Sequence, residues 1–571
     1  MEPHTTRRRR YWTSLAVVLL ILAMGCARAA PATSSQSDPT DASGDQPKRG
    51  GILRVAVRND PPAAWDTMRS TNYDLTLITQ AIAGDGNLVT ACWDSEHKVC
   101  PALAESWEAS DDFTAWTFKI RDGVVWHDGT PFTAEDVRFW ADLFVNGVAV
   151  GDKTRLPGVA RGQFGDFQKV ETLDGNRVRI TLNSPDAFYL HGLGLHRIPV
   201  FHPKHLFEPA IAAGNVNVAP SELGYVGTGP FKFKSYEPGV AVELTRFDKY
   251  WEKDAQGRQL PYLDGIVFHI IKSPAAMHSA FRAGQLDLGA NQGGYYVTPD
   301  LLGPYRQSLG DSVYFLERAG GETDALVFNT LRPPFDDIRV RKAISLWVDR
   351  QSSVDTLSQG VGRIVGGFSD PAMSTPGFMT WPGYNPATRE ADRAQARRLL
   401  AEAGLPNGFE FTITAPSTKA PSGEWWTGAV AGSGLTAKLE VMDVNSYDAR
   451  RGAGDWTASL SNSGGLESAM TPGAFLNSYG PKSRAPYASL VHEDPYILEL
   501  ARKLGQQTVD EGRMDVMREV EQYVLQEKFY KVDSSVGTDM VPVRSYVKGV
   551  KTAFSLAPNI YWSQVRTWLD K

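Results

Sequence analysis

The sequence predicts an α/β protein built as more than one lobe, on three observations. Between Pro101 and Phe144, apolar patterns of strand period and helix period follow one another with turn dipeptides between them. At 571 residues the chain is long enough for about three domain-sized units of roughly 150 residues each. No internal repeat is visible, which removes solenoid and propeller architectures.

The densest local instructions lie between Pro101 and Phe144. Trp116, Phe118 and Ile120 alternate with Thr117, Lys119 and Arg121, the period of a half-buried strand. Asp122-Gly123 is a strong turn dipeptide ahead of a second apolar run, Val124 to Trp126, so this part predicts a hairpin. After a second turn at Asp128-Gly129, Thr133 is placed to cap a helix with Asp136 in its favourable first turn. Val137, Trp140, Ala141 and Phe144 form the apolar face of that helix.

The N-terminus places the chain outside the cytoplasm. Arg7 to Arg10 form a positive region and Ser14 to Met24 an apolar stretch too short to span a bilayer comfortably, together a secretion signal. Leu22-Ala23-Met24-Gly25-Cys26 resembles a bacterial lipobox, with Ala23 where Leu is usual, so Cys26 is the expected lipidated residue. Residues 27–48, rich in Ala, Ser, Thr, Pro and Asp, read as a flexible tether. Arg9-Arg10 leaves twin-arginine export open beside the general route. With Cys26 modified, Cys92 and Cys100 remain as a pair in one short exported segment. A disulfide is the default, and a metal site using His97 between the two thiols is the alternative. A net charge of −6 offers no basic face for nucleic acid.

The segment from Pro101 resembles the signature of the solute-binding protein family 5, the extracellular receptors of ABC importers for peptides, oligopeptides, nickel and related solutes. The matching residues are Pro101, Leu103 to Trp107, Ser110 to Asp112, Thr117-Phe118, Arg121, Gly123-Val124, Trp126 to Gly129, Pro131 to Ala134 and Asp136-Val137. Further matches are Arg49 to Val57, Gly227 to Phe233, Arg246-Phe247, Tyr250-Trp251, Tyr262 to Asp264 and Gly284 to Leu288. The resemblance continues through Asn329, through Pro333 to Ile344, where an extended segment leads into a helix whose buried face Val340, Ile344 and Trp347 share, and through Val547 to Val550 and Trp568 to Asp570. It implies a periplasmic-binding-protein fold: two α/β lobes joined by a hinge, the first enlarged by an extra subdomain, with solute held between them. The expected division is a lipoprotein signal peptide at 1–26, the tether at 27–48, a first lobe with its subdomain at 49–305, a second lobe at 306–534 and a return segment at 535–571. The hinge is expected near 300–315 and 530–540.

Enzyme motifs are absent: there is no HExxH, GxSxG or CxxC, and Gly432-Ser433-Gly434 reads as a turn. His191, His196, His202 and His205 match no metal-ligand spacing, and His127 suits a structural hydrogen bond within its turn. No catalytic residue, metal or cofactor is expected. Trp425 and Trp426 either stack on a solute or pack beneath their helix, and Asn291 to Tyr296, with Tyr295 and two glycines, suits a cleft loop. Peptide-binding relatives of the resembled family carry an aspartate-rich segment near 460–472 that pairs with a free amine. This chain has instead Ser461, Asn462, Ser463, Gly465 and a single acid, Glu467, which offer hydroxyls, an amide and backbone groups, or form a surface loop. The resemblance thus implies a monomeric, membrane-tethered receptor, peptide-class by default, that delivers its solute to an ABC permease. The alternative is an exported sensor or interaction protein without a transport role.

Overall fold

The computed structural model describes residues 46–571 except 68–72, 85–86, 93–94, 156–166, 184, 196–200, 290–295, 320–322, 369–372, 464–465, 467–474, 476–493, 508–509 and 551–564. The signal peptide, Cys26 and nearly all of the tether fall outside the described residues.

The first lobe is organised by a four-stranded sheet in the order Ile52–Val57, Gly265–Ile270, Ala241–Arg246, Phe231–Glu237. The opening strand runs parallel to Gly265–Ile270, and the other neighbours are antiparallel. Leu53, Val55 and Val57 enter one core with Leu75, Ile78 and Ala81 of the helix Tyr73–Ala83, the alternation expected of a strand with one face on a helix. Arg54, between them, forms a two-pronged ion pair with buried Asp287, Nε to Oδ2 at 3.0 Å and Nη2 to Oδ1 at 2.7 Å.

An extra subdomain is built on the antiparallel sheet Ala104–Ala109, Ala115–Ile120, Arg177–Leu182, Phe167–Leu173. Trp116, Phe118 and Ile120 point into its core as their alternation predicts, and the helix Ala134–Ala141 lays Val137, Trp140 and Ala141 on it. Asp136 reaches back to the Thr133 amide at 2.9 Å and so closes the start of that helix. The hairpin expected across Asp122-Gly123 does not form. Strand Ala115–Ile120 is paired on both sides, by Ala104–Ala109 and Arg177–Leu182, so Val124 to Trp126 has no free edge to join. Val125 instead bridges Pro131, and the Trp126 amide donates to the Thr130 carbonyl at 2.7 Å, closing a small loop around His127.

That loop meets the glycine turn at 227–230. The Gly229 amide donates to the Ile82 carbonyl at 2.9 Å and the Thr228 hydroxyl to the Ala83 carbonyl at 3.2 Å, so the turn satisfies the C-terminal end of the helix Tyr73–Ala83. A Cβ on Gly229 would stand 2.1 Å from the Gly84 nitrogen, which is why only glycine fits. Nearby, Val89–Cys92 pairs with Ser95–Pro101, and the Cys92 and Cys100 sulfurs lie 2.10 Å apart.

The second lobe carries a five-stranded sheet in the order Thr436–Met442, Glu410–Pro416, Ala458–Ser463, Thr323–Phe328, Lys531–Asp533. Leu326, Leu460 and Val532 occupy one register row and enter a core with Val340, Ile344 and Trp347 of the helix Ile338–Trp347, the face read from the sequence. The long strand Ser535–Arg544 belongs to both lobes. Its residues 535–537 pair with Gly362–Ile364, beside the second-lobe helix Arg350–Leu357, while 538–544 pair with Val313–Ala319. The chain therefore passes between lobes after Ala319 and near Gly537, and these points are register neighbours through Ala319 and Thr538. Val313–Ala319, which overlaps the expected range 300–315, is paired to residues 538–544 of the long strand.

Candidate functional site

Strand directions place the site. In the first lobe, Ile52–Val57 runs parallel to Leu288, which bridges Val543 in the antiparallel sense. Its carboxyl end thus points toward the start of Ser535–Arg544, where the chain changes lobes. In the second lobe the parallel strands Glu410–Pro416, Thr436–Met442 and Ala458–Ser463 end on the edge at which Thr323–Phe328 begins. The carboxyl ends of both parallel sets therefore face the inter-lobe passages, the side of an open α/β sheet where ligands bind.

On the first-lobe side this edge carries residues 58–67. The Asp74 carboxylate, buried on the following helix, accepts the amides of Arg58 at 3.2 Å and Asn59 at 3.1 Å. Burial pushes Asp74 up from its ordinary pKa despite those bonds. Asp60 accepts from the Tyr236 hydroxyl at 3.0 Å and the Gly239 amide at 2.6 Å; led by the amide bond, these contacts lower its pKa. Trp65 sits at φ 51° among Tyr225, Phe233 and Tyr236. Asp66 forms a buried ion pair with Arg155 of the subdomain at 2.8 Å. Nothing in the residue pattern of 58–67 marked this loop. The signal that could have found it is its position immediately after the opening strand.

On the second-lobe side the row Ser461, Ala325, Asp533 is the last that spans all three strands, two positions in from Ser463 and Thr323 at the edge. Asp533 and Lys531 share a face and are fully buried 3.1 Å apart. Arg350 donates to the Asp533 carbonyl at 2.9 Å and to the Ser345 carbonyl at 3.0 Å, with its guanidinium 3.8 Å from the Tyr384 ring centre. Glu521 accepts from the Thr375 amide at 2.7 Å and hydroxyl at 2.6 Å. Burial drives the carboxyls of Glu521 and Asp533 above their ordinary range. Two basic and two acidic side chains thus occupy one buried cluster.

The residues singled out from the sequence divide in three ways. Ser461, Asn462 and Ser463 form the last positions of Ala458–Ser463, at the site edge. Trp425 and Trp426 do not face that edge: both belong to the second-lobe core, Trp426 entirely enclosed and Trp425 donating to the Ser352 hydroxyl at 3.3 Å. The helix Ala420–Val430 packs on the strands Glu410–Pro416 and Thr436–Met442, and both tryptophans are buried in the core that this contact closes. Asn291, Tyr295, Gly465 and Glu467 lie outside the described residues. The flanks of 290–295 are placed: the Gly289 amide donates to the Pro542 carbonyl at 2.9 Å and the Val297 amide to the Met540 carbonyl at 2.8 Å, on the long strand itself. Among the described residues no three His, Cys, Asp or Glu side chains converge as a metal site. The cavity lined by Trp65, Thr79, His202, Phe207 and Tyr225, about 30 Å³, has room for a water or two and no larger solute.

Comparison with known proteins identifies the lineage of this architecture. The sequence profile of the bacterial extracellular solute-binding proteins, family 5, middle region, matches residues 98–486. The chain belongs to this family. Heme-binding protein A of Haemophilus influenzae is 32% identical over 322 residues, 54% of this chain and 54% of that protein. The di/tripeptide-binding protein 1 of Pseudomonas aeruginosa is 25% identical over 422 residues, 70% of this chain and 73% of that one. The alignments with the Haemophilus protein and with the Escherichia coli dipeptide-binding protein span 54% and 58% of those relatives' lengths. Among solved structures, HbpA2 from Haemophilus parasuis superimposes with a TM-score of 0.71 at 20% identity, covering 91% of this chain and 100% of that one. A periplasmic binding protein from Helicobacter pylori in complex with the peptide STSA gives 0.68 at 22% identity, covering 92% and 99%. At those identities the structures establish the fold, which is that of the family-5 periplasmic binding proteins with two α/β lobes.

Proposed function

We propose that this family-5 chain is the exported solute receptor of an ABC importer, which binds without bond-making and hands its solute to a membrane permease. The observation that carries the reading is the convergence of strand carboxyl ends from both lobes on the two inter-lobe passages. A solute held there touches both lobes only when they close, so binding shifts the population toward the closed form. Cys26 as lipidated N-terminus, residues 27–48 as tether, Cys92–Cys100 as a disulfide and a monomeric state complete the proposal. Tethering raises the local concentration at the permease without new contacts.

The solute class follows from the second-lobe edge. Where peptide-binding relatives of this fold place acids for a free amine, this chain has Ser461, Asn462 and Ser463, with Glu467 as the nearest acid in sequence. A buried ammonium without a carboxylate incurs a desolvation cost of several kcal/mol. The expected solute is neutral at this end, or a longer or blocked peptide. Calorimetry with free and N-acetylated di- and tripeptides tests this, alongside mass spectrometry of solute copurified from the native host. Tight binding of the free forms, abolished by acetylation, overturns the specificity; absence of any copurified or added solute overturns the receptor reading.

A further inference from the structure

The two chain passages are not the only junction between the lobes. Arg513, on the second-lobe helix Asp510–Gln522, lies with its guanidinium carbon 4.0 Å from the centre of the Phe188 ring. Phe188 belongs to the first-lobe subdomain, and neither residue is part of a passage. Both are withdrawn from water, Phe188 at 3% and Arg513 at 4% exposure.

Each partner is held by its own lobe before it meets the other. The Phe188 amide donates to the Asp186 carboxylate at 2.9 Å, the Asp186 amide to the Phe113 carbonyl at 3.1 Å, and the Trp116 indole to the Asp186 carbonyl at 3.2 Å. These bonds fix Phe188 at the mouth of the subdomain sheet, just before the helix Tyr189–Leu195. Arg513 lies three, four and seven residues before Val516, Met517 and Val520, which enter the second-lobe helical core. It therefore extends the buried stripe of its helix by one turn, and the stripe ends on a first-lobe ring.

We propose that Arg513 stacked on Phe188 is a closure latch, which sets how far and how long the lobes stay together. The proposal rests on the two-lobed receptor reading above and adds a residue pair to it. Rotation about the two adjacent passages changes the separation of surfaces away from them. A desolvated cation on an aromatic face is a directional contact that such a rotation breaks as a unit. Arginine suits it better than lysine because its planar group stacks and is weakly hydrated. The latch makes closure partly intrinsic, so that a solute need supply only the remaining difference between open and closed states.

The test uses the solute-free protein, so its outcome is separate from whether any solute has been found. Hydrogen exchange and small-angle scattering are compared for wild type, Phe188→Leu, Arg513→Gln, Arg513→Lys and the Phe188→Leu/Arg513→Gln double variant. Phe188→Leu keeps an apolar side chain and removes the ring face; Arg513→Gln keeps polarity and removes the charge. Each single variant is expected to raise exchange in the partner's segment on the order of tenfold. Phe188→Leu thus acts on 510–522 and Arg513→Gln on 186–195, with a larger radius of gyration in both. The double variant is expected to match the more open single one, and Arg513→Lys to fall between it and wild type. Unchanged exchange in strand Arg177–Leu182 certifies that the subdomain is folded; a variant that fails this check is replaced in the comparison by the other single variant. Exchange changes confined to each mutated segment, or an unaltered scattering profile, overturn the latch.

Discussion

The His127 ring uses both nitrogens on one glycine turn: Nε2 lies 3.0 Å from the Gly229 carbonyl, and Nδ1 lies 3.3 Å from the Gly227 amide. Only a neutral ring can donate from one nitrogen and accept on the other. Burial pushes its pKa down to about 4, which keeps that neutral state over the physiological range. The pair links the loop around His127 to the end of the helix Tyr73–Ala83 and so joins the subdomain to the first-lobe sheet.

This linkage has a pH signature. Between the unfolded histidine value of 6.5 and the folded value of about 4, the unfolded chain binds a proton that the folded one refuses. Stability is complete above that window and falls as pH drops through it, by about 3 kcal/mol for the His127 contribution. Urea unfolding at pH 7 and pH 4.5 measures the difference. In His127→Phe the slope over this interval is expected to shrink; an identical slope would falsify the assignment.

Gly229→Ala is expected to destabilise the first lobe by about 1–3 kcal/mol or more, because the new methyl would meet the backbone at Gly84 and Ala83. Gly239→Ala is the control, since a methyl there would meet no atom within 4 Å, although its positive φ carries a strain of its own. Thermal unfolding of both variants reads the difference, and equal shifts in melting temperature would contradict the close-approach argument.

Asp287 is enclosed, and burial raises its carboxyl, yet the bonds from Arg54 and Tyr546 outweigh burial and hold it below the ordinary range. Asp287→Asn is expected to cost about 3 kcal/mol, the low end for a broken buried pair, because Arg54 keeps a third of its side chain in water. The depressed pKa means that the wild-type contribution is present at neutral pH and lost only as acid protonates Asp287, below the usual carboxylate range. Denaturant titrations carried down from pH 7 should therefore show the gap between wild type and variant narrowing only as pH falls below the usual carboxylate range; a gap that stays constant down to the acid limit of folding would sink the ionic explanation.

Alkylation of unreduced, denatured protein is expected to find neither Cys92 nor Cys100 free, and reduction to lower stability by about 2–3 kcal/mol. Two modified thiols would dispose of the bonded pair.

Cys26→Ser is expected to move the protein from the detergent phase to the aqueous phase in a phase-partition assay. Wild-type protein already in the aqueous phase, with its N-terminus elsewhere, rules out the lipid anchor.

Local pattern carried part of this architecture. Trp116, Phe118 and Ile120, the Thr133 start and the Val340, Ile344, Trp347 stripe were legible because strand and helix periods are properties of neighbouring residues. The fate of Val124 to Trp126 was not, since whether an apolar run becomes a strand depends on partners such as Arg177–Leu182 that occupy the available edge. Trp425-Trp426 exposes a similar limit: the same ring chemistry serves a core and a cleft wall, and only the packing of the helix on the sheet separates them. The loop at 58–67 was silent because its importance comes from strand direction, and the Asp66–Arg155 pair joins residues 89 positions apart.

The pairing of Ala319 with Thr538 makes the two chain passages neighbouring strands of a single narrow strap. Strands bonded side by side twist together, so the strap behaves as a torsion element. A few degrees gained or lost in its twist are geared up into displacement at the distant rim of either lobe. If the chain is the receptor proposed above, a membrane partner touching those rims would sense its occupancy as an angle, with no direct view of what is bound.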